Sequence, residues 1–69
     1  MSALLGHADA ARCKATAFDM EADAMAGQGE HTAAGLLFAI GRAYDRAALL
    51  MLEENRRQIE APRETPPTR

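Results

Sequence analysis

The first half of the chain repeats hydrophobic residues at alternating intervals of four and three, which is the heptad spacing of helices that pack side by side. This row consists of Leu4, Ala8, Ala11, Ala15, Phe18, Ala22 and Met25. A second row with the same spacing lies on the opposite side and consists of Ala10, Cys13, Ala17, Met20 and Ala24. The pattern predicts a helix over about residues 3 to 26. Its first row faces a partner helix, and its second row is either a further contact face or exposed alanine.

The second half is more hydrophobic, and between residues 33 and 52 only Arg42, Asp45 and Arg46 interrupt it. A second helix is predicted from about residue 30 to residue 60. The row expected to face the first helix is Ala33, Leu37, Ile40, Tyr44, Ala47 and Met51. Small residues four apart are expected to permit a close helix crossing, namely Gly35, Ala39, Ala43 and Ala47. Because hydrophobic residues surround most of this helix, it offers more apolar surface than one neighbour covers.

Two glycines in the segment GQGEH, residues 27 to 31, predict the break between the helices, because glycine readily adopts the left-handed conformation that ends a helix. Such a short loop makes the two helices antiparallel neighbours. The predicted fold is therefore all-α, an antiparallel two-helix hairpin over residues 1 to 61. Pro62, Pro66 and Pro67 are expected to end the second helix and to leave residues 62 to 69 as a disordered proline-rich tail.

A chain of 69 residues forms at most one domain with a marginal core, so a further stabilising device is expected. Cys13 is the only cysteine, which excludes an intramolecular disulfide and leaves self-association. We therefore predict a homodimer of hairpins that forms a four-helix bundle, although a different protein as partner also fits the sequence. The predicted interface consists of Leu36, Phe38, Tyr44, Leu49, Leu50 and Leu52, with a polar rim of Arg42, Asp45 and Arg46. All of these leucines and Phe38 are expected to lie in water in a lone hairpin.

Composition argues against several classes of partner. The net charge is −2, from 8 basic and 10 acidic residues, and the three aromatic residues are too few for base stacking, so nucleic-acid binding is not expected. The longest uncharged apolar run covers residues 33 to 41, whereas a membrane-spanning helix needs about 20 residues, so no membrane partner is expected. The sequence shows no basic, apolar leader, and a cytoplasmic location is expected.

The candidate metal ligands are His7, Cys13 and His31. His7 and Cys13 point to different sides of the first helix, and His31 lies at the other end of the hairpin, so one chain is expected to hold no metal or other cofactor. Asp19 and Asp23 share a helix face but are expected to be solvated. No nucleophile is paired with a base, which predicts a non-enzymatic protein that acts through protein–protein association. The alternative is an oligomer that binds a metal or a small ligand between subunits through the two histidines and the cysteine.

Two stretches of the sequence resemble a known group of proteins, namely ARCKATAFDMEADA, residues 11 to 24, and GEHTAAGLLFAIGRAYDRAA, residues 29 to 48, followed by Glu53. In this order they are similar to short alanine-rich helical-hairpin proteins of unknown function, which are common in alphaproteobacteria. The resemblance covers about residues 8 to 54. It implies the hairpin fold and no particular activity, so it assigns no functional residue.

Overall fold

The computed structural model of the protein describes the backbone of residues 3 to 64 and the side chains of residues 3 to 60. It contains two helices, α1 (Ala3–Gly27) and α2 (His31–Glu64), and no strand within this part of the chain. Because α2 begins directly after the turn and packs back along α1, the two helices are antiparallel. The predicted all-α helical hairpin is confirmed.

Gly29 ends α1 in the left-handed conformation, with a φ of 85°. The Glu30 N–H donates to the Met25 carbonyl at 2.9 Å, and this bond spans the end of the helix. The Gly29 N–H donates to the Ala26 carbonyl at 3.0 Å. Together the two bonds satisfy carbonyl groups that the end of a helix otherwise leaves without partners. The glycine-dependent break predicted for this segment is therefore present, and Gly29 is the residue that makes it.

The row predicted to bring α1 against α2 is confirmed along its whole length. Every member is buried or half-buried, namely Leu4, Ala8, Ala11, Ala15, Phe18, Ala22 and Met25. Ala8, Ala15 and Ala22 repeat at intervals of seven residues on this side of α1. Because the separation of two packed helices depends on the size of the side chains between them, these alanines let the α2 backbone approach closely.

α2 is rotated about its own axis relative to the prediction, so the residues that it buries most deeply against α1 differ from those expected. Its buried residues repeat every seven positions and are Ala34, Gly41, Ala48 and Asn55. Within the row that was expected to face α1, Ile40 is 41% exposed. The other members are half-buried as expected, namely Ala33, Leu37, Tyr44, Ala47 and Met51. Both sides of α2 are apolar, and the one with smaller side chains faces α1 because it fits closely against the α1 alanines. The row predicted to make the close crossing is wrong for the same reason, since three of its members are exposed: Gly35, Ala39 and Ala43.

Gly41 marks a close approach between the helices. A Cβ atom at this position would lie 3.3 Å from the Ala15 carbonyl oxygen and 2.7 Å from Oδ1 of Asp19. The neighbouring rings of Phe18 and Tyr44 stack with their centroids 5.6 Å apart and their planes at 11°. No large side chain among residues 3 to 60 is fully buried. The core is therefore a thin layer between two helices, built on small residues and one aromatic pair.

The C-terminal part of α2 extends further than expected. The helix continues through Pro62 to Glu64, so the predicted end before Pro62 is wrong. Proline fixes φ at about −65°, which is close to the helical value, so this φ is compatible with the last turn of α2. Residues 65 to 69 of the predicted tail lie outside the described residues.

Candidate protein–protein interface

The hairpin is a single layer of helices, and its Cα atoms extend over 64 × 18 × 10 Å. α1 covers only one side of α2, so the hairpin has two broad faces. In an antiparallel pair, the positions that flank the core on one side of each helix lie on the same broad face. The two faces carry different side chains, which makes them unequal as contact surfaces.

One broad face, here called the apolar face, is formed mainly by α2. Its row contains no charged residue and consists of Leu36, Ile40, Ala43, Ala47 and Leu50. Leu36 is 64% exposed and Leu50 is 54% exposed. Exposed residues of α1 border this row, namely Ala10, Lys14, Ala17 and Glu21. The intervals of four, three, four and three make the row a second heptad row, so this side of α2 matches the surface that a further helix packs against.

The opposite broad face, here called the charged face, mixes apolar and ionised side chains. It consists of Asp9, Arg12, Asp19 and Asp23 of α1 with Phe38, Arg42, Asp45 and Leu49 of α2. Arg12, Asp45 and Leu49 line one shallow depression on it. The Arg42 guanidinium lies 5.5 Å from the centre of the Phe38 ring, which is a cation–π contact. Charges therefore surround the exposed apolar side chains of this face, and Arg42 covers one of them.

Four of the six predicted interface residues are exposed, but they do not form one surface. Leu36 and Leu50 lie on the apolar face, whereas Phe38 and Leu49 lie on the charged face. The two faces point in opposite directions, so a partner on one face contacts only one of these pairs. Of the two, the pair on the apolar face has no charged residue in its own row.

The other two predicted interface residues belong to the hairpin core. Tyr44 and Leu52 are half-buried and pack against a cluster formed by Ala8, Ala11 and Ala48. The expectation that Leu52 lies in water is therefore wrong. The cause is again the rotation of α2, because turning Ala48 towards α1 also turns Leu52, one helical turn further on, into contact with it.

The predicted polar rim does not surround the apolar face. Arg42 and Asp45 lie on the charged face, and Arg46 is exposed on the outer edge of α2. Among residues 3 to 60 the only ion pair joins Arg57 to Glu54 at 3.1 Å, near the far end of α2. The charged residues of α1 on the side of the apolar face are instead Lys14 and Glu21, and both are exposed.

Asp19 is a residue whose environment the sequence did not predict. It is half-buried rather than solvated, and its Oδ1 is buried without a hydrogen-bond partner against Gly41. A buried carboxylate oxygen without a donor lowers stability. The signal in the sequence was Gly41 itself, because a glycine at a core position leaves space that a neighbouring side chain can enter. Asp23, one turn further on, is exposed as expected.

His7, Cys13 and His31 are each exposed, and no group of three or more His, Cys, Asp or Glu residues within the described part of the chain is placed to hold a metal ion. The alternative of a site assembled between subunits stays a prediction. A separate groove lies at the open end of the hairpin, and its lining is Ala3, Leu4, Leu5, Glu54, Asn55, Gln58 and Ile59.

No family model, no curated protein and no solved structure matches the chain. The resemblance to short alanine-rich helical-hairpin proteins therefore stays a prediction. Neither helix, over its described residues, combines the length and the hydropathy that crossing a membrane requires.

Proposed function

We propose that this protein is a non-enzymatic helical association protein, and that it forms a homodimeric four-helix bundle through its apolar face. The observation that carries the proposal is the row of large aliphatic side chains left in water on one side of α2. Leu36, Ile40 and Leu50 lie on that row, and all three are exposed. A contiguous exposed apolar patch of this kind is typical of a protein–protein contact site.

The free energy available from covering this row is large relative to the core of one chain. Burial of a Leu or Ile side chain contributes about 1.5–3 kcal/mol. Each of the three large residues of the row is only partly exposed, so a second hairpin that covers them recovers part of that free energy at each position. The core of the hairpin is thin, with Ala8, Ala11 and Ala48 at its centre. Association supplies the buried apolar area that a domain of this size lacks on its own.

The cytoplasm is the location that we propose. Cys13 is exposed on α1 and has no disulfide partner within the chain. A free, exposed thiol persists in a reducing compartment, where structural disulfides are rare. The dimer proposed here therefore needs no covalent bond between its subunits.

The substitution Leu50→Glu tests the proposal. A carboxylate on the apolar face would have to be buried without a partner in the dimer, so we expect Leu50→Glu to dissociate it. Leu49→Glu is a matched control, because Leu49 is exposed to a similar extent, 57% against 54% for Leu50, but lies on the charged face. Sedimentation equilibrium gives the mass, and circular dichroism gives the helix content.

We expect a dimer for the wild-type protein and for Leu49→Glu, and a monomer or an unfolded chain for Leu50→Glu. A wild-type protein that sediments as a folded monomer at every concentration would contradict the proposal. So would a Leu50→Glu variant that keeps both the dimer mass and the helix content.

A further inference from the structure

The geometry points to one arrangement of the two copies, an inference that rests on the proposed function. We infer that the second copy lies face to face on the apolar face, related by a two-fold axis that runs across both helices, perpendicular to them, at the level of Ala17 and Ala43. In this arrangement α2 packs antiparallel on α2 of the second copy, and α1 packs antiparallel on α1. The partner surface is therefore the same face of an identical chain.

The apolar row of α2 is symmetric about Ala43 to within one residue. Leu36 and Leu50 lie seven residues before and after it, and Ile40 and Ala47 lie three residues before and four after it. In an antiparallel pair centred on Ala43, Leu36 therefore meets Leu50 of the second copy. Ile40 meets Ala47 of the second copy, so a large side chain lies opposite a small one. Alternation of large and small residues across facing positions fills such an interface without voids.

The fold places the centre of the α1 row at the same height as Ala43. Gly41 of α2 approaches Ala15 so closely that a Cβ on the glycine would lie 3.3 Å from the Ala15 carbonyl oxygen, and the Phe18 ring stacks on Tyr44. Residues 15 to 18 of α1 are thus level with residues 41 to 44 of α2. A single axis perpendicular to the helices can therefore pass Ala43 on α2 and residue 17 on α1 together.

The charges of α1 are complementary about this same axis. Lys14 lies three residues before Ala17, and Glu21 lies four residues after it. An antiparallel copy of α1 centred there places Lys14 opposite Glu21 of the second copy, and Glu21 opposite Lys14 of the second copy. Both side chains are exposed, and neither forms an ion pair with another side chain of residues 3 to 60. Charge pairs beside an apolar row set the partner and the orientation of paired helices.

Other two-fold arrangements fit less well. If the axis ran parallel to the helices, the apolar row of α2 would cover Lys14 and Glu21 of the second copy and leave both buried without partners, which is costly. On the charged face the same operation brings Asp9 opposite Asp23 of the second copy, although it also brings Arg42 opposite Asp45. A dimer through that face would take ionised side chains of both helices out of water, whereas the apolar row of α2 contains none, so it costs more desolvation.

Charge reversal at Lys14 and Glu21 tests the orientation. Lys14→Glu alone and Glu21→Lys alone each turn two attractive contacts into two repulsive ones, so the dissociation constant of the dimer should rise about tenfold. The double variant Lys14→Glu/Glu21→Lys restores opposite charges and should return the constant to near the wild-type value. Arg12→Glu on the charged face is the control and should leave it unchanged. Helix content measured by circular dichroism verifies that each variant is folded.

Disulfide cross-linking locates the axis independently. In a Cys13→Ser background, Ala43→Cys should give a covalent dimer on mild oxidation, because the two cysteines meet at the axis. Ala47→Cys on the same row should not, since the two copies of residue 47 would lie about 12 Å apart along the helices.

The outcomes separate the two proposals. A wild-type protein that is monomeric overturns the proposed function and the inference with it. A dimer that Leu50→Glu dissociates, but whose single charge variants are not rescued by the double variant, keeps the proposed function and overturns the inference. A covalent dimer from Ala47→Cys as readily as from Ala43→Cys also overturns the inference, because an axis at residue 43 brings only the cysteines at position 43 together.

Discussion

Small residues set the distance between the two helices. Gly41 faces Ala15 in the middle of the hairpin, and the space where a Cβ would lie is already occupied by the Asp19 carboxylate. The glycine lowers the intrinsic stability of α2 by about 0.5–1 kcal/mol relative to alanine. The absence of a side chain permits the close contact with α1, because any side chain at this position would increase the distance between the helices.

Replacement of Gly41 by alanine should therefore destabilise the protein by about 1 kcal/mol, because the added methyl group overpacks the contact by more than the gain in helix propensity. Gly35→Ala is the control: it lies in the same helix, has nothing within 4 Å of its would-be Cβ, and should stabilise by about 0.5–1 kcal/mol. Urea unfolding followed by circular dichroism measures both. Equal and stabilising effects at the two positions would show that Gly41 is not a contact point.

At the scale of the helices, α1 was predictable and the orientation of α2 was not. α1 has one row with bulky members, Phe18 and Met25, so its heptad frame is unambiguous. α2 has two neighbouring rows that are both apolar, and hydropathy favours the row with Ile40 over the row with Gly41. Hydropathy measures transfer from water, whereas the approach of two helices depends on side-chain volume. Gly41 and Ala48 therefore face α1 most directly, and Ile40 stays outside. The larger residues Leu37, Tyr44 and Met51 are half-buried beside them.

The turn between the helices depends on the backbone conformation of a single residue. Gly29 has a φ of 85°, and a residue with a Cβ in this region loses about 1–2 kcal/mol. We expect Gly29→Ala to lower the free energy of unfolding by about 1 kcal/mol. Gly27→Ala, inside α1 and without a neighbour within 4 Å, should not lower it. Thermal unfolding of the two variants under the same conditions provides the comparison, and a tolerant Gly29→Ala would contradict the role given to this turn.

At the scale of the whole molecule, the candidate interface was predicted in part. Leu36 and Leu50 were correctly expected to be exposed, because no single partner helix covers both sides of α2. Tyr44 and Leu52 were assigned to the same surface, but both pack against α1. Tyr44 belongs to the row that was predicted to face α1, whereas Leu52 is brought there by the rotation of α2. The relation of Lys14 and Glu21 to Ala43 could not be predicted from the sequence, since it depends on how the hairpin aligns its two helices.

If folding and association are coupled, the thermal stability should depend on protein concentration. The free energy of unfolding of a dimer rises by about 1.4 kcal/mol for each tenfold increase in protein concentration, which should raise the Tm by about 5 °C. Differential scanning calorimetry over two decades of concentration measures the effect. In Leu49→Glu the Tm should rise with protein concentration as in the wild type, and in a folded Leu50→Glu monomer it should not. A wild-type Tm that does not change with concentration would argue for a self-sufficient hairpin.

The alanines of α1 and the small residues of α2 that face them limit which substitutions this sequence can accept. Ala8, Ala15 and Ala22 meet Ala34, Gly41 and Ala48, and all of these positions are buried. Glycine and alanine have the smallest side chains, so almost every substitution at these six positions adds side-chain volume to the contact between the helices. Substitution there is limited to the smallest side chains, and at Gly41 even alanine is expected to overpack the contact with α1.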